Sequence, residues 1–339
     1  MRQKIGLMFI GIFLATLLTS AWLPTPAVAK PITLNYASGP PAPTFPSVQM
    51  ERWKEEVEKR AGGKVSIKTY PGGSLLKDKV MMDGVISGVA DIGVLAIFVS
   101  PGRFPVTLAT NLPLGMPSSL VASQVLLDVY NKYKPKEFSK VKVLTMFTSG
   151  PANIMSKKPV RKLEDIKGMD LRASGVGVEV LKRWSANPVG MPMPETPEAL
   201  QKGVVQGLFS SFDVMKSFKF AEICSYATLT KTLVYPMAVI MNKDSWESLP
   251  KDVQKIMDDM AKEQAIWTGK FMDGEVNKAR EWSVKTHNVE FIELSKDEKA
   301  RFDQLVEPMI GGWIESAGAK GFPAREIISD IKAFTEKYQ

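Results

Sequence analysis

The sequence predicts an α/β protein of two lobes spanned by one long helix. Three observations carry this. Strand-like and helix-like segments alternate from Ile32 to Ser185. Roughly 310 residues remain after an amino-terminal leader, more than one hydrophobic core comfortably organises. From Pro250 to about Thr286 the pattern changes to a continuous helical period.

In chain order, Ile32 to Ala37 reads as a strand and Ser47 to Arg60 as a helix closed by Gly62-Gly63. Lys64 to Tyr70 alternates Val65, Ile67 and Thr69 as a second strand, and a helix from Asp78 to Val89 leads into the apolar strand Asp91 to Ile97. The order then repeats. A helix from Ser118 to Tyr133 precedes strands Val141 to Phe147 and Ala152 to Ser156; helix Leu163 to Lys167, strand Met169 to Ala173 and helix Val176 to Ser185 follow. Such alternation implies largely parallel sheets. In the helical stretch, Val253, Ile256, Met257, Met260, Ile266 and Trp267 recur at helical spacing, which marks them as packing residues. Pro250 and Asp252 suit its first turn, and its length of roughly 50 Å would reach across both lobes. The expected division is a leader at 1–29, a first lobe of 30–149 plus about 238–277, and a second of 150–237 plus about 278–339.

The leader has the three parts of a secretory signal: Arg2 and Lys4, an apolar run from Ile5 to Leu18, and a polar stretch ending in Ala27-Val28-Ala29. A membrane anchor is the competing reading, but Pro24 and Pro26 would break a spanning helix. The mature chain should start near Lys30. Cys224 is the only cysteine, so no intrachain disulfide and no lipidated cysteine after the cleavage site are available. An exported, unlipidated chain fits a Gram-negative periplasm, and Cys224 itself is expected to be a small buried apolar side chain.

Charge excludes little but directs attention. Arg2 and Lys4 leave with the leader and no acid does, so the formal excess falls from +8 to +6. That weakly favours an anionic ligand, while no Lys/Arg stripe with interleaved aromatics marks a nucleic-acid binder. His287 is the sole histidine, which rules out a histidine cluster for metal and leaves one residue for any histidine-assisted nucleophile. It lies in a polar stretch and reads as a solvent-exposed surface residue. No G-x-G-x-x-G spacing and no Gly-Lys-Ser/Thr phosphate loop occurs. Carboxylate-only catalysis stays open, with no pair marked for it.

Several segments together resemble the solute-binding subunit of tripartite ATP-independent periplasmic (TRAP) transporters. They are Tyr70-Pro71-Gly72-Gly73-Ser74-Leu75, Gly88-Val89-Ala90-Asp91-Ile92, Lys157 to Val160 with Leu163 to Arg172, and Met191 to Gly207. Each is weak alone; their order and spacing are specific. The resemblance implies a periplasmic binding protein fold that closes over its ligand. It also implies an arginine whose planar guanidinium holds a substrate carboxylate by two parallel hydrogen bonds, here Arg172.

Departures from the family pattern shape the expected ligand. Where sugar-acid binders carry a second arginine this chain has Ala152, and where an acidic contact is expected it has Ala96, beside Ile97 and Phe98. The loop after the glycine motif reads Leu208-Phe209-Ser210-Ser211-Phe212-Asp213. The expected site is therefore Arg172 on the carboxylate, with Phe98, Phe209, Ser210 and Phe212 shaping the pocket. It suits an apolar or aromatic monocarboxylate. Some relatives hold a metal beside the ligand; Asp213 is the only nearby candidate, the metal is unassigned, and no cofactor is expected. The expected partners are the acid and the TRAP membrane subunits. Delivery to an ATP-driven transporter, or a periplasmic enzyme working through carboxylates, are the alternatives.

Overall fold

A computed structural model describes residues 30–339. The leader and its Ala27-Val28-Ala29 site lie outside the described residues. Among the described residues eleven strands form two sheets, and the elements largely follow the expected order. The first sheet contains β1 (Ile32–Ala37), β2 (Val65–Tyr70), β3 (Ile92–Ala96) and β4 (Val141–Thr148). The second begins with β5 (Asn153–Ser156), β6 (Asp170–Ala173), β7 (Asn187–Gly190), β8 (Gly207–Ser210) and β9 (Tyr226–Leu229). β10 (Pro236–Asn242) then returns to the first sheet, and β11 (Glu290–Glu293) completes the second. Their orders are β2-β1-β3-β10-β4 and β11-β9-β5-β8-β6-β7.

The expectation of largely parallel sheets holds only in part. β1, β2 and β3 run parallel, but β10 is antiparallel to both its neighbours, β3 and β4. β5 is likewise reversed between β8 and β9. The reason is connectivity: β4 leads straight across into β5, and β9 straight back into β10, so each lobe receives a strand from the other without a crossover helix to turn it.

Apolar side chains cover the first sheet on both faces. On one, Met50, Trp53 and Val57 of the helix Phe45–Arg60 repeat at helical spacing and meet Leu34, Tyr36 and Val239. Trp53 sits edge-on to Tyr36, with ring centroids 5.7 Å apart. The long helix, Lys251–His287, adds Val253, Met257 and Met260 to the same core and touches the second lobe through Val276 and Trp282. At 37 residues it has the expected length, displaced by one residue towards the carboxy terminus. It ends where Asn288 turns left-handed, with Lys285 and His287 near the negative pole of the dipole. His287 is half-buried against Trp282, centroids 4.5 Å apart, rather than a free surface residue.

Two other segments differ. The stretch from Asp78 begins as a 3-10 turn, Asp78–Val80, before the helix Met81–Ile86. The carboxy-terminal helix Ala324–Tyr338, assigned from sequence to the second lobe, instead packs with the first. Its Ile327, Ile328 and Ile331 share a core with Val121, Val125 and Val129 of the helix Ser119–Tyr133. Cys224 is fully buried in the second lobe, and burial pushes its thiol up to about 12.

Candidate functional site

Between the sheets lies a cleft of about 330 Å³, walled by both lobes. The first lobe contributes Pro40, Pro41, Phe45, Asp78, Lys79, Val94, Ala96 and Phe98; the second contributes Arg172 to Gly175, Met191 to Pro194, Ser210, Ser211, Asp213 and Phe218. Ser149, Tyr235 and Met237, from the crossings, line the junction. The two crossings bond to one another as well: Ala152 donates its amide to the Leu233 carbonyl at 2.7 Å, and Thr232 returns one to the Ala152 carbonyl at 3.1 Å.

Arg172 is the dominant group. β6 is paired on both sides, with β7 and β8, and so presents Arg172 from a rigid strand. The side chain is only 3% exposed. Its Nε and Nη2 donate to the Met191 carbonyl at 3.1 and 2.9 Å, which fixes the guanidinium plane. No carboxylate of the described residues pairs with it, and none accepts a hydrogen bond from Nη1. The Nη1–Nη2 edge is thus still available to an incoming carboxylate. Burial draws the group's pKa down to about 10, so it stays protonated at neutral pH.

The other expected residues divide. Phe98 and Ser210 line the cleft; Phe98 packs on Tyr235 with centroids 4.9 Å apart and touches the cores of both lobes. Phe209 and Phe212 do not line it. Along β8 side chains alternate, so Ser210 faces the cleft while Phe209 is buried edge-on to Trp184, centroids 5.4 Å apart. Phe212 packs against Phe291 in the second lobe's core. Ser211 and Asp213 take the positions the aromatics were expected to fill. Ala96 is in the wall, whereas Ala152 is fully buried at the crossing.

Two acids in the wall are perturbed. Burial pushes Asp213 up to about 7, against the smaller opposing effects of the Ser211 hydroxyl and nearby backbone amides. Although that hydroxyl faces the carboxyl, it forms no hydrogen bond of normal geometry. Asp78 is pushed to about 6, again by burial, and lies so close to Gly39 that a Cβ there would stand 2.0 Å from its Oδ1. Tyr235 rises to about 12 through burial, and its hydroxyl donates to the Phe209 carbonyl at 3.4 Å. Sequence reasoning missed Tyr235, Ser149 and Met191. Only the Met191 to Gly207 match pointed toward this wall. Among the described residues no group of three or more His, Cys, Asp or Glu could hold a metal ion.

Two lobes around a largely apolar cleft with one unmatched buried cation are the architecture of a protein that captures a small solute. The family model of bacterial extracellular solute-binding protein, family 7 (DctP), matches residues 39–316, and the chain belongs to that family, the solute-binding proteins of TRAP transporters. A TRAP periplasmic solute-binding protein from Desulfovibrio salexigens, solved open with the carboxy terminus of a symmetry mate in its ligand site, is 52% identical. It matches with a TM-score of 0.84 over 91% of this chain and 97% of that one. A TRAP solute-binding protein from an unidentified marine microbe, specific for aromatic acid ligands and solved with metahydroxyphenylacetate, is 29% identical. Its TM-score is 0.86 over 91% and 99% of the two chains. The C4-dicarboxylate-binding periplasmic protein DctP of Rhodobacter capsulatus is 25% identical over 96% of this chain and 98% of its own length. The family is extracellular, and no helix among the described residues is long and apolar enough to cross a membrane.

Proposed function

We propose that the cleft binds one small organic acid with its carboxylate on Arg172, and that the ligand is a compact monocarboxylate with an apolar or aromatic body. The observation that carries this is the buried, unmatched guanidinium in a largely apolar wall. A carboxylate supplies the missing counter-charge, and the body gains about 25 cal/mol for each Å² of apolar surface removed from water. A second ligand charge would have Lys79 at the exposed rim as its one further cation among the lining residues, with Asp78 beside it and Asp213 across the cleft. Burying that charge without a partner would cost several kcal/mol, on the order of the desolvation penalty of a single ion. The aromatic acid held by the marine relative supports the same ligand class.

In this reading the protein closes on the acid and releases it unchanged to the membrane subunits, without catalysis. Residues 30–149, about 238–277 and the last helix act as one jaw; 150–237 and the chain from 278 to about 320 act as the other. Phe98 and Ser210 shape the pocket, and the leader is removed on export. A thermal-shift screen of organic acids tests the ligand class. Larger shifts are expected for apolar monocarboxylates than for succinate, malate or sialic acid, and a dicarboxylate or sugar acid at the head of the ranking would refute it. Recovery of the leading acid chemically altered would instead favour an enzyme.

A further inference from the structure

We propose that Asp213 forms a second polar subsite that accepts a hydrogen bond from a hydroxyl or N–H group on the body of the acid. The preferred ligand is then a carboxylic acid carrying such a donor, not a plain hydrocarbon acid. The inference rests on the carboxylate reading of Arg172 above.

The geometry is that of an acceptor left open on one side. Asp213 is 7% exposed and lines the cleft. Its carboxylate makes no ion pair with any described residue and accepts no hydrogen bond of normal geometry from them; the Ser211 hydroxyl and the Asp213 and Val214 amides offset its desolvation only in part. A carboxyl this buried is ordinarily paired, because leaving it without donors costs free energy that a fold of this size does not readily concede. What surrounds it offers little: Ser210, Ser211, Val214 and Phe218 in the wall, and Glu275 on the long helix, whose charge disfavours ionisation further. The open side of Asp213 faces the cleft, and a donor placed there would complete it.

The same environment selects the chemistry of that group. A second carboxylate would meet a like charge across a poorly solvated gap wherever Asp213 is ionised, and is disfavoured. An apolar edge would leave the acceptor unsatisfied. A hydroxyl or N–H is matched whether Asp213 is ionised or protonated, since a carboxyl retains an acceptor oxygen in either form. Sites built to bond a donor reject the analogue that lacks it more strongly than hydrophobic walls reject an extra methylene, because the site's own polar group is stranded.

Calorimetry with phenylacetate and its three ring-hydroxylated isomers, on the wild-type chain and on Asp213→Leu and Asp213→Asn, tests this. In the wild type at least one hydroxylated isomer should bind about tenfold or more tighter than phenylacetate, the scale of a hydrogen bond to a charged group. In Asp213→Leu that ratio should fall to about one, and Asp213→Asn, which keeps an acceptor oxygen, should retain part of it. A ratio near one in the wild type, or an undiminished ratio in a folded Asp213→Leu, overturns the proposal. The wild-type comparison stands even where a variant fails to fold. Arg172→Lys should weaken every isomer and leave their ratio alone. If it changes no affinity, the carboxylate reading fails on its own evidence, while the Asp213 ratio still decides the subsite.

Discussion

Ser149 and Tyr235 clasp the two crossings where they enter the cleft. The Ser149 amide donates to the Tyr235 carbonyl at 3.0 Å, and the Tyr235 amide donates to the Ser149 Oγ at 3.0 Å, which itself donates to the Gly150 carbonyl at 2.8 Å. Both residues are buried. Ser149→Ala strands the Tyr235 amide without an acceptor, and the expected loss is about 1–3 kcal/mol of stability in urea unfolding. A change within error would mean that the clasp is replaced by water.

Arg172→Lys is expected to weaken acid binding by about 1.5–3 kcal/mol while the fold is kept. Lysine retains the charge but cannot bond the Met191 carbonyl and a carboxylate in one plane. Titration calorimetry reads the difference, and equal affinities would remove Arg172 from the site.

Asp213 makes stability depend on pH with a definite sign. Its folded pKa, about 7, lies above its ordinary value of 3.8, so the folded chain holds a proton that the unfolded chain has released between those values. The contribution is full below the ordinary value and is lost as pH rises through about 7. Asp213→Asn should therefore raise the melting temperature, relative to wild type, more at pH 8 than at pH 5, by an amount reflecting a few kcal/mol. Asp78 acts in the same direction and persists in the variant. A pH-independent difference between the two proteins would contradict this account.

Gly175 takes a left-handed conformation, φ 53°, and a Cβ on it would stand 2.7 Å from the Phe98 carbonyl oxygen, across the cleft. Gly175→Ala combines backbone strain with a clash against main chain, and a loss of roughly 1–3 kcal/mol is expected in thermal or urea unfolding. An unchanged stability would show that the two walls separate freely at this point.

Export leaves a mass signature. Intact-mass measurement on chain recovered from the periplasm should give a protein beginning near Lys30. Recovery of residues 1–29 in a membrane fraction would support the anchor instead.

Much of the fold is legible because β2 and the helix Phe45–Arg60 bury one face at a local period, while β3 and the helix Ser119–Tyr133 are marked by apolar runs, and both signals are written in residue order. The reversal of β5 and β10 is not, since Asn153–Ser156 and Pro236–Asn242 carry the same apolar residues whichever way their neighbours run. Ile327, Ile328 and Ile331 announce a helix with a buried face but not the lobe that buries it. In the candidate site, Arg172 stands out through a motif, whereas Phe209 and Phe212 are expected in the wall from their place in the loop after the glycine motif; the pleat, counted from Gly207, turns Ser210 to the cleft instead. Tyr235 carried no local signal, because its place depends on Ser149, far away in sequence.

The position of β10 also constrains how the molecule comes into being. It lies between β3 and β4, yet it is synthesised after every strand from β5 to β9. A nascent chain that has emerged only as far as residue 235 has no partner for the facing edges of Ile92–Ala96 and Val141–Thr148, both fully or largely apolar. The lobe begun first is thus finished late, and until Pro236–Asn242 arrives its open edges are the region most exposed to mispairing with a neighbouring chain.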